Sequence, residues 1–317
     1  MGTSQGLLCM IEIRHLRKQY DSTVAIDNLN LSIPEGEVFG LIGPNGAGKT
    51  TLIRILATLM EPTYGEVKIA GIDVCEAPLE VHPLIGYMSD FFSMYEDMLV
   101  WEYLDHFAAC YGIERARREQ LIDDVLELVS LEVRRDDKIK ALSRGMKQRL
   151  CFAKTLLHQP KVLLLDEPAS GLDPAGRIEF REILKKLRDM GRTVLISSHI
   201  LTEMADFCTS IGIVEQGRLL ASGRVEDILR QLKSRMRLVI EVAAEQPRLV
   251  ALLKEEPAVE ELETRDGHVT CAWGAAREDL PALHRRLVQA SIPLVSLSVK
   301  KDDLEDIYMR ISGHRTS

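Results

Sequence analysis

Gly43-Pro44-Asn45-Gly46-Ala47-Gly48-Lys49-Thr50, followed by Thr51, satisfies the phosphate-loop pattern GxxxxGK[ST] at every fixed position. The stretch lies between an apolar strand, Val38-Phe39-Gly40-Leu41-Ile42, and a helix announced by Leu52, Ile55, Leu56 and Leu59 at spacings of three and four. Strand, glycine loop and helix start belong together physically. Glycines let successive backbone N–H groups converge on phosphate oxygens, and the helix N-terminus adds its positive dipole. In that setting Lys49 reaches the β- and γ-phosphates and the Thr50 hydroxyl ligates Mg²⁺. A chance Lys-Thr after a glycine-rich turn would lack the flanking strand and helix.

A second nucleotide feature is Val162-Leu163-Leu164-Leu165-Asp166-Glu167-Pro168, a buried strand ending in two adjacent carboxylates. Neighbouring strand residues point in opposite directions, which predicts different tasks for the two acids. Asp166 suits Mg²⁺ positioning, as the second acid of phosphate-loop enzymes does. Glu167 suits orientation or deprotonation of an attacking water.

The rest of the chain organises around these two segments. Met10–Ile13 and Leu29–Ile33 read as short strands of an antiparallel layer, with a turn at Pro34-Glu35-Gly36-Glu37. From about Glu96 to Arg149 the pattern is helical, with Leu121, Val125, Leu128 and Val129 as one apolar face. The apolar strands Val162–Leu165 and Thr193–Ile196 flank an amphipathic pattern over 175–190, which implies a parallel sheet covered on both faces. A hairpin follows at Ser210–Leu220, turning at Gln216-Gly217. Beyond Ser234 the order is strand (Leu238–Val242), helix (Pro247–Glu255), strand (Val259–Thr264), an Asp266-Gly267 turn, strand (Val269–Trp273), helix (Arg277–Ala290) and strand (Leu294–Val299). That is βαββαβ, the ferredoxin-like order. A helix pattern at Asp303–Met309 follows. The expected fold is thus α/β, a phosphate-loop NTPase core over 10–233 with an antiparallel β-layer and a helical subdomain at about 96–150, plus an α+β domain over 234–317.

Composition narrows the function. The formal net charge of −8 over 317 residues argues against a dedicated nucleic-acid binder, since such proteins normally show a basic stripe that neutralises phosphates; local basic patches are compatible with that balance. Cys9, Cys75, Cys110, Cys151, Cys208 and Cys271 form no CxxC pair, which points to reduced thiols and away from a zinc site. No apolar run approaches the roughly eighteen residues of a membrane span, and the N-terminus shows no signal-peptide pattern. Gly6 stands where a myristoylation motif starting at Gly2 wants Ser or Thr.

Between the two nucleotide segments lies Leu142-Ser143-Arg144-Gly145-Met146-Lys147-Gln148-Arg149. It resembles the signature motif of ATP-binding cassette (ABC) ATPases, usually Leu-Ser-Gly-Gly-Gln. Ser170-Gly171-Leu172-Asp173 resembles that family's D-loop, His199 its switch histidine, and Tyr20 the aromatic that stacks on adenine. The resemblance covers residues 10 to about 230. It implies that ATP and Mg²⁺ bind between two nucleotide-binding domains joined head to tail, as a homodimer or with a related ATPase. Residue by residue it implies Ser143 and the Gly145 amide on the γ-phosphate held by the other chain, His199 as a γ-phosphate sensor, and Asp173 in communication between sites. Arg144 and Met146 depart from the usual Gly and Gln. Asp90 stands where the Q-loop glutamine is expected, and is read as a further Mg²⁺ ligand.

The segment from Phe91 through Tyr95 and Trp101 to Leu104, the signature wording and Leu304–Tyr308 most resemble ATPase subunits of ABC-2 type exporters. That resemblance implies a transmembrane permease partner, attachment at the cytoplasmic face of the membrane through it, and the Phe91–Tyr103 stretch as its docking region. The importer ATPase and the soluble, non-transport ABC ATPase are the alternatives. The latter normally carries heptad insertions or two cassettes. The substrate is not legible, since the pathway would be lined by another polypeptide.

Overall fold

The computed structural model describes residues 9–90, 93–200, 204, 206–228, 236–265 and 268–300. Phe91-Phe92, the Asp266-Gly267 turn, the Leu304–Tyr308 segment and its helix pattern, and the Gly2–Gly6 stretch lie outside those residues. Contacts divide the chain into two compact units that meet between Val225 and Glu226. The expected junction at 233/234 falls in the undescribed stretch just beyond. Within the first unit the last backbone tie is the Val225 N–H donating to the Thr209 carbonyl at 3.2 Å.

The first unit begins with β1 (Cys9–Tyr20), β2 (Thr23–Pro34), β3 (Val38–Ile42), α1 (Lys49–Leu56), β4 (Tyr64–Ile69), β5 (Ile72–Asp73), α2 (Pro78–Val81) and β6 (Ile85–Met88). It continues with α3 (Val100–Cys110), α4 (Arg115–Leu128), α5 (Arg144–Leu156), β7 (Val162–Leu165), α6 (Pro174–Asp189), β8 (Thr193–Ser198), β9 (Ser210–Glu215) and β10 (Arg218–Arg224). Among the described residues, one antiparallel sheet runs β2-β1-β4-β5 and a second sheet runs β10-β9-β3-β8-β7-β6. In the second, β9, β3, β8, β7 and β6 are mutually parallel, and β10 folds back antiparallel on β9.

Sequence chemistry explains the layering. Every residue of β3, β7, β8 and β9 is buried, as continuous apolar runs covered on both faces should be. On the edge strand β10 no residue is fully buried. The antiparallel layer is one-sided. It buries Ile11, Ile13, Leu16, Ile26, Leu29 and Ile33 in a cluster shared with Leu52, Ile53, Ile55 and Leu56 of α1 and with Phe39 and Leu164 of the parallel sheet. Each such side chain contributes about 1.5–3 kcal/mol on burial, so the core that stabilises the unit also anchors the helix behind the phosphate loop.

Three sequence expectations shift. The helix after the phosphate loop stops at Leu56, because Thr58 takes a left-handed φ of 59° and turns Leu59 outward to 62% exposure. On α4 the buried set is Ile122, Val125 and Leu126, followed by Val129, while Leu121 and Leu128 are only half-buried. Apolar residues on both sides of that helix leave the face ambiguous until its neighbours are known. The signature helix α5 runs on to Leu156, past the end of the expected helical stretch, since Phe152 packs edge-on against Phe180 of α6 at 5.3 Å.

Among its described residues the second unit carries β11 (Met236–Val242), α7 (Gln246–Lys254), β12 (Val259–Arg265), β13 (His268–Trp273), α8 (Leu280–Gln289) and β14 (Leu294–Lys300). Its strand order is β12-β13-β11-β14 with every pairing antiparallel. Leu238, Ile240, Val269, Cys271 and Trp273 meet Leu249, Leu253, Leu283 and Leu287 of the two helices in one core. The helix α8 begins at Leu280, with Arg277–Asp279 forming a tighter 3₁₀ turn ahead of it.

His158 joins three parts of the first unit. Its ring stacks on Tyr111 at 4.2 Å, just past α3, and its Nε2 donates to the Ile85 carbonyl of β6 at 2.7 Å. Burial holds its pKa below the ordinary histidine value, against the backbone hydrogen bond that raises it. The folded state therefore keeps the ring neutral while the unfolded chain protonates below about pH 6.5, so this contribution is complete above that pH and is lost as pH falls. His158→Gln should show a smaller drop in Tm than the parent between about pH 7.5 and about pH 5.5, measured by calorimetry; equal drops would refute the linkage.

Candidate functional site

The register of the parallel sheet delivers the chemistry to one edge. Ile42 stands beside Ser198 and Ile213, and Leu165 beside Ile196. The residues that follow β3, β7 and β8 therefore emerge together at the carboxyl ends of the strands, where open α/β sheets form ligand crevices. The Gly43 N–H donates to the Ser198 carbonyl at 3.3 Å, fastening the phosphate loop to β8. Pro44, Asn45 and Gly46 crown the loop in solvent, Ala47 is buried, and Thr50 and Thr51 lie half-buried in the first turn of α1. Gly48 caps that helix at φ 101°, and a Cβ there would strike the Ala25 carbonyl of β2. Only glycine allows this approach.

Lys49 is 6% exposed. Its ammonium donates to the Gly43 and Pro44 carbonyls at 2.6 and 3.2 Å and lies 3.4 Å from Glu167 Oε1. A buried charge requires such partners. The other oxygen, Glu167 Oε2, accepts from His199 Nδ1 at 2.9 Å. Lys49, Glu167 and His199 thus form one polar line across the ends of β3, β7 and β8.

Glu167 does not continue the strand. β7 ends at Leu165 and Glu167 has a left-handed φ of 47°, a conformation costing of order 1–3 kcal/mol in a non-glycine residue. The expectation that strand alternation separates the two acids is corrected on this point: the backbone reversal at Glu167 does it. The Glu167 N–H donates to Ser197 Oγ at 2.9 Å, and its carbonyl accepts from the Ser170 N–H at 3.0 Å.

Asp166 is fully buried and accepts the Ser197 hydroxyl on Oδ1 at 2.7 Å. Burial pushes its carboxyl above the ordinary range, opposed by hydrogen bonding from the Ser197 and Thr50 hydroxyls and reinforced by the charges of Asp90 and Glu167. Oδ2 is buried without a hydrogen bond. Among the described residues no group of three or more His, Cys, Asp or Glu is arranged to hold a metal ion. Asp166 and Thr50 are instead a small oxygen set of the kind that holds Mg²⁺ jointly with phosphates, and the unpartnered oxygen fits that use. Asp90 is exposed and reaches the site through its charge.

Ser197 escaped the sequence reading. Its one hydroxyl accepts from Glu167 and donates to Asp166, so it sets the relative placement of both acids. The available signal was the Ser197-Ser198 pair closing an otherwise apolar strand. Tyr20, 40% exposed at the tip of the β1–β2 hairpin, donates to Met60 Sδ at 2.7 Å. The Lys18 ammonium lies 5.1 Å from its ring centroid. Ala25 of the same hairpin is the residue that abuts Gly48.

Ser143 and Gly145 belong to a different place. Ser143 caps α5, its Oγ accepting the Met146 N–H at 3.3 Å, and Asp173 caps α6, accepting the Gly176 N–H at 2.8 Å. Together with Arg144, Gly145 and Gly171 they line an open groove of about 420 Å³, to which no phosphate-loop residue contributes. One chain thus carries its phosphate loop and its signature segment in separate places.

Residues 26–170 match the ABC transporter family. An uncharacterised ABC transporter ATP-binding protein of Bacillus subtilis, YhcH, is 36% identical over 305 residues, covering 96% of this chain and 96% of that protein. The bacitracin transport ATP-binding protein BcrA of Bacillus licheniformis is 33% identical over 310 residues, covering 97% and 98%. Among solved structures, an ATP-binding cassette in a dimeric post-hydrolysis state with ADP and Pi superposes with a TM-score of 0.61 at 26% identity, covering 68% of this chain and 99% of that one. No helix among the described residues is long and apolar enough to cross a membrane.

Replacing Ser197 by Ala removes the hydroxyl shared by Asp166 Oδ1 and the Glu167 N–H, and leaves that N–H unpaired. Urea denaturation should register a loss of about 1–3 kcal/mol, and nucleotide hydrolysis should fall with it. Parental stability and turnover together would contradict the bridging role.

Proposed function

Because this chain belongs to the ABC transporter ATP-binding proteins and is an ATPase, we propose that it energises an ABC-2 type exporter from the cytoplasmic face of the membrane, docked on a transmembrane permease. The observation that carries the transport reading is coverage: the likeness to a bacitracin transport protein runs through 97% of this chain, second unit included. On this reading the second unit is a dimerisation or regulatory module.

ATP binds with its phosphates on the backbone of Gly43–Gly48, Lys49 turning from its loop carbonyls and Glu167 to the β- and γ-phosphates. Thr50 and Asp166, with Asp90 as a further ligand, would hold Mg²⁺, which when bound would neutralise charge on the phosphate oxygens. Tyr20 stacks on adenine. Glu167 orients the attacking water and accepts its proton, and His199, bonded to the same carboxylate, senses the γ-phosphate. Ser143 and Gly145 complete the site of a second chain, whether a copy of this one or a related ATPase. The separation of the signature groove from the phosphate loop and the dimeric ADP–Pi cassette both support that head-to-tail arrangement.

The proposed permease-docking stretch is narrower than the sequence alone implies. Val100, Tyr103 and Leu104 are buried in this unit's own core, whereas Tyr95 is 60% exposed and Trp101, under the Arg135 guanidinium, is half-buried. Tyr95→Ala should weaken co-purification with the permease while sparing ATP binding; an intact complex would remove Tyr95 from the interface.

The catalytic reading is tested by Glu167→Gln. Loss of a positioned base slows chemistry by roughly 10²–10⁴ while leaving nucleotide contacts in place. The variant should therefore accumulate as an ATP-bound dimer in gel filtration, and parental turnover would refute the assignment.

A further inference from the structure

The residue that departs most from the usual signature, Arg144, makes a contact that the usual glycine could not. Its guanidinium lies over Gly171, so closely that a Cβ on Gly171 would collide with it, and Gly171 holds a left-handed φ of 74°. One turn further along α5, on the same face, the buried Gln148 amide donates to the Pro168 carbonyl. Between them Gly145 rests against Leu172, whose Cδ2 would lie 3.3 Å from a Cβ on that glycine. The start of α5 is thereby seated at three points on the turn Pro168–Leu172. That turn leads directly out of Glu167, whose carbonyl it captures through the Ser170 N–H at 3.0 Å.

We propose that Arg144 is a positioning residue. Its planar guanidinium clamps the signature helix to the turn that carries Glu167, so that engagement of Ser143 and Gly145 with the nucleotide of one site is registered at the Glu167 of the other. This rests on the head-to-tail reading given above and adds to it the means by which one rigid segment of a single chain joins its two half-sites. The contact depends on shape at both ends. Glycine at 171 leaves room for the plane, and arginine at 144 supplies it. Lysine offers charge without a plane.

The test is a double-mutant cycle in the full-length chain, reading kcat and KM for ATP. Arg144→Ala should lower kcat roughly tenfold with KM within about twofold, as expected for lost positioning rather than lost binding. Gly171→Ala should lower kcat further, because the Cβ displaces the guanidinium and the backbone is strained as well. The double variant should be no worse than Gly171→Ala alone, since the clamp is broken once. Arg144→Lys should not restore the rate. Hydrogen exchange over residues 168–172 should accelerate in Arg144→Ala, a readout independent of turnover. Multiplicative effects in the cycle, recovery by lysine, a KM effect at constant kcat, or unchanged exchange would each overturn the clamp. In the Glu167→Gln background, Arg144→Ala should still form the ATP-bound dimer. Absence of that dimer in Glu167→Gln alone would instead overturn the head-to-tail reading on which the proposal stands.

Discussion

The parallel register of β7 on β8 is the constraint from which the site follows. With Leu165 beside Ile196, the next residue on each strand brings Asp166 to the Ser197 hydroxyl, and that hydroxyl in turn receives the Glu167 N–H. A slip of one residue would turn Ser197 to the opposite face of the sheet and strand both acids. Because β3 is registered on β8 as well, the phosphate loop starts level with the two acids. Lys49 can then be buried and still be met by oxygens from two strands' ends. The apolar strands thus do more than fill a core: their packing places a buried ammonium, a strained glutamate and an imidazole in one line.

Much of this was legible before the fold was known, for identifiable reasons. The phosphate loop carries a mechanism in its spacing, and continuous apolar strands announce a sheet covered on both sides. The βαββαβ order of the second unit was readable from period and turn residues. What escaped was information held by neighbours rather than by the segment itself. Leu59 fits a helical spacing, yet Thr58 reverses the backbone before it. Leu121 and Ile122 are equally apolar, and only the packing of the helices decides which is fully buried. Ser197 looks like an ordinary strand residue until its opposite numbers are known. Glu167 reads as the next residue of a strand, whereas its left-handed backbone is what aims it.

One departure in the signature, Arg144, is likewise explained by its partner. Arg144 lies against a glycine 27 residues away in the chain, a pairing that no local pattern encodes. Ser143 and Asp173 cap helices α5 and α6, and both line one groove to which no phosphate-loop residue contributes. On the head-to-tail reading proposed above, a chain with its phosphate loop in one place and its capping groove in another is complete only when a second chain supplies the missing half.

That requirement is open to direct measurement by cysteine cross-linking. In a full-length chain carrying Glu167→Gln, Ser143→Cys and Asn45→Cys, trapped with ATP and oxidised, the account expects an ATP-dependent species of doubled mass in which position 143 of one chain is joined to position 45 of the other. A cross-link between those two positions within a single chain, running at monomer mass, would contradict it.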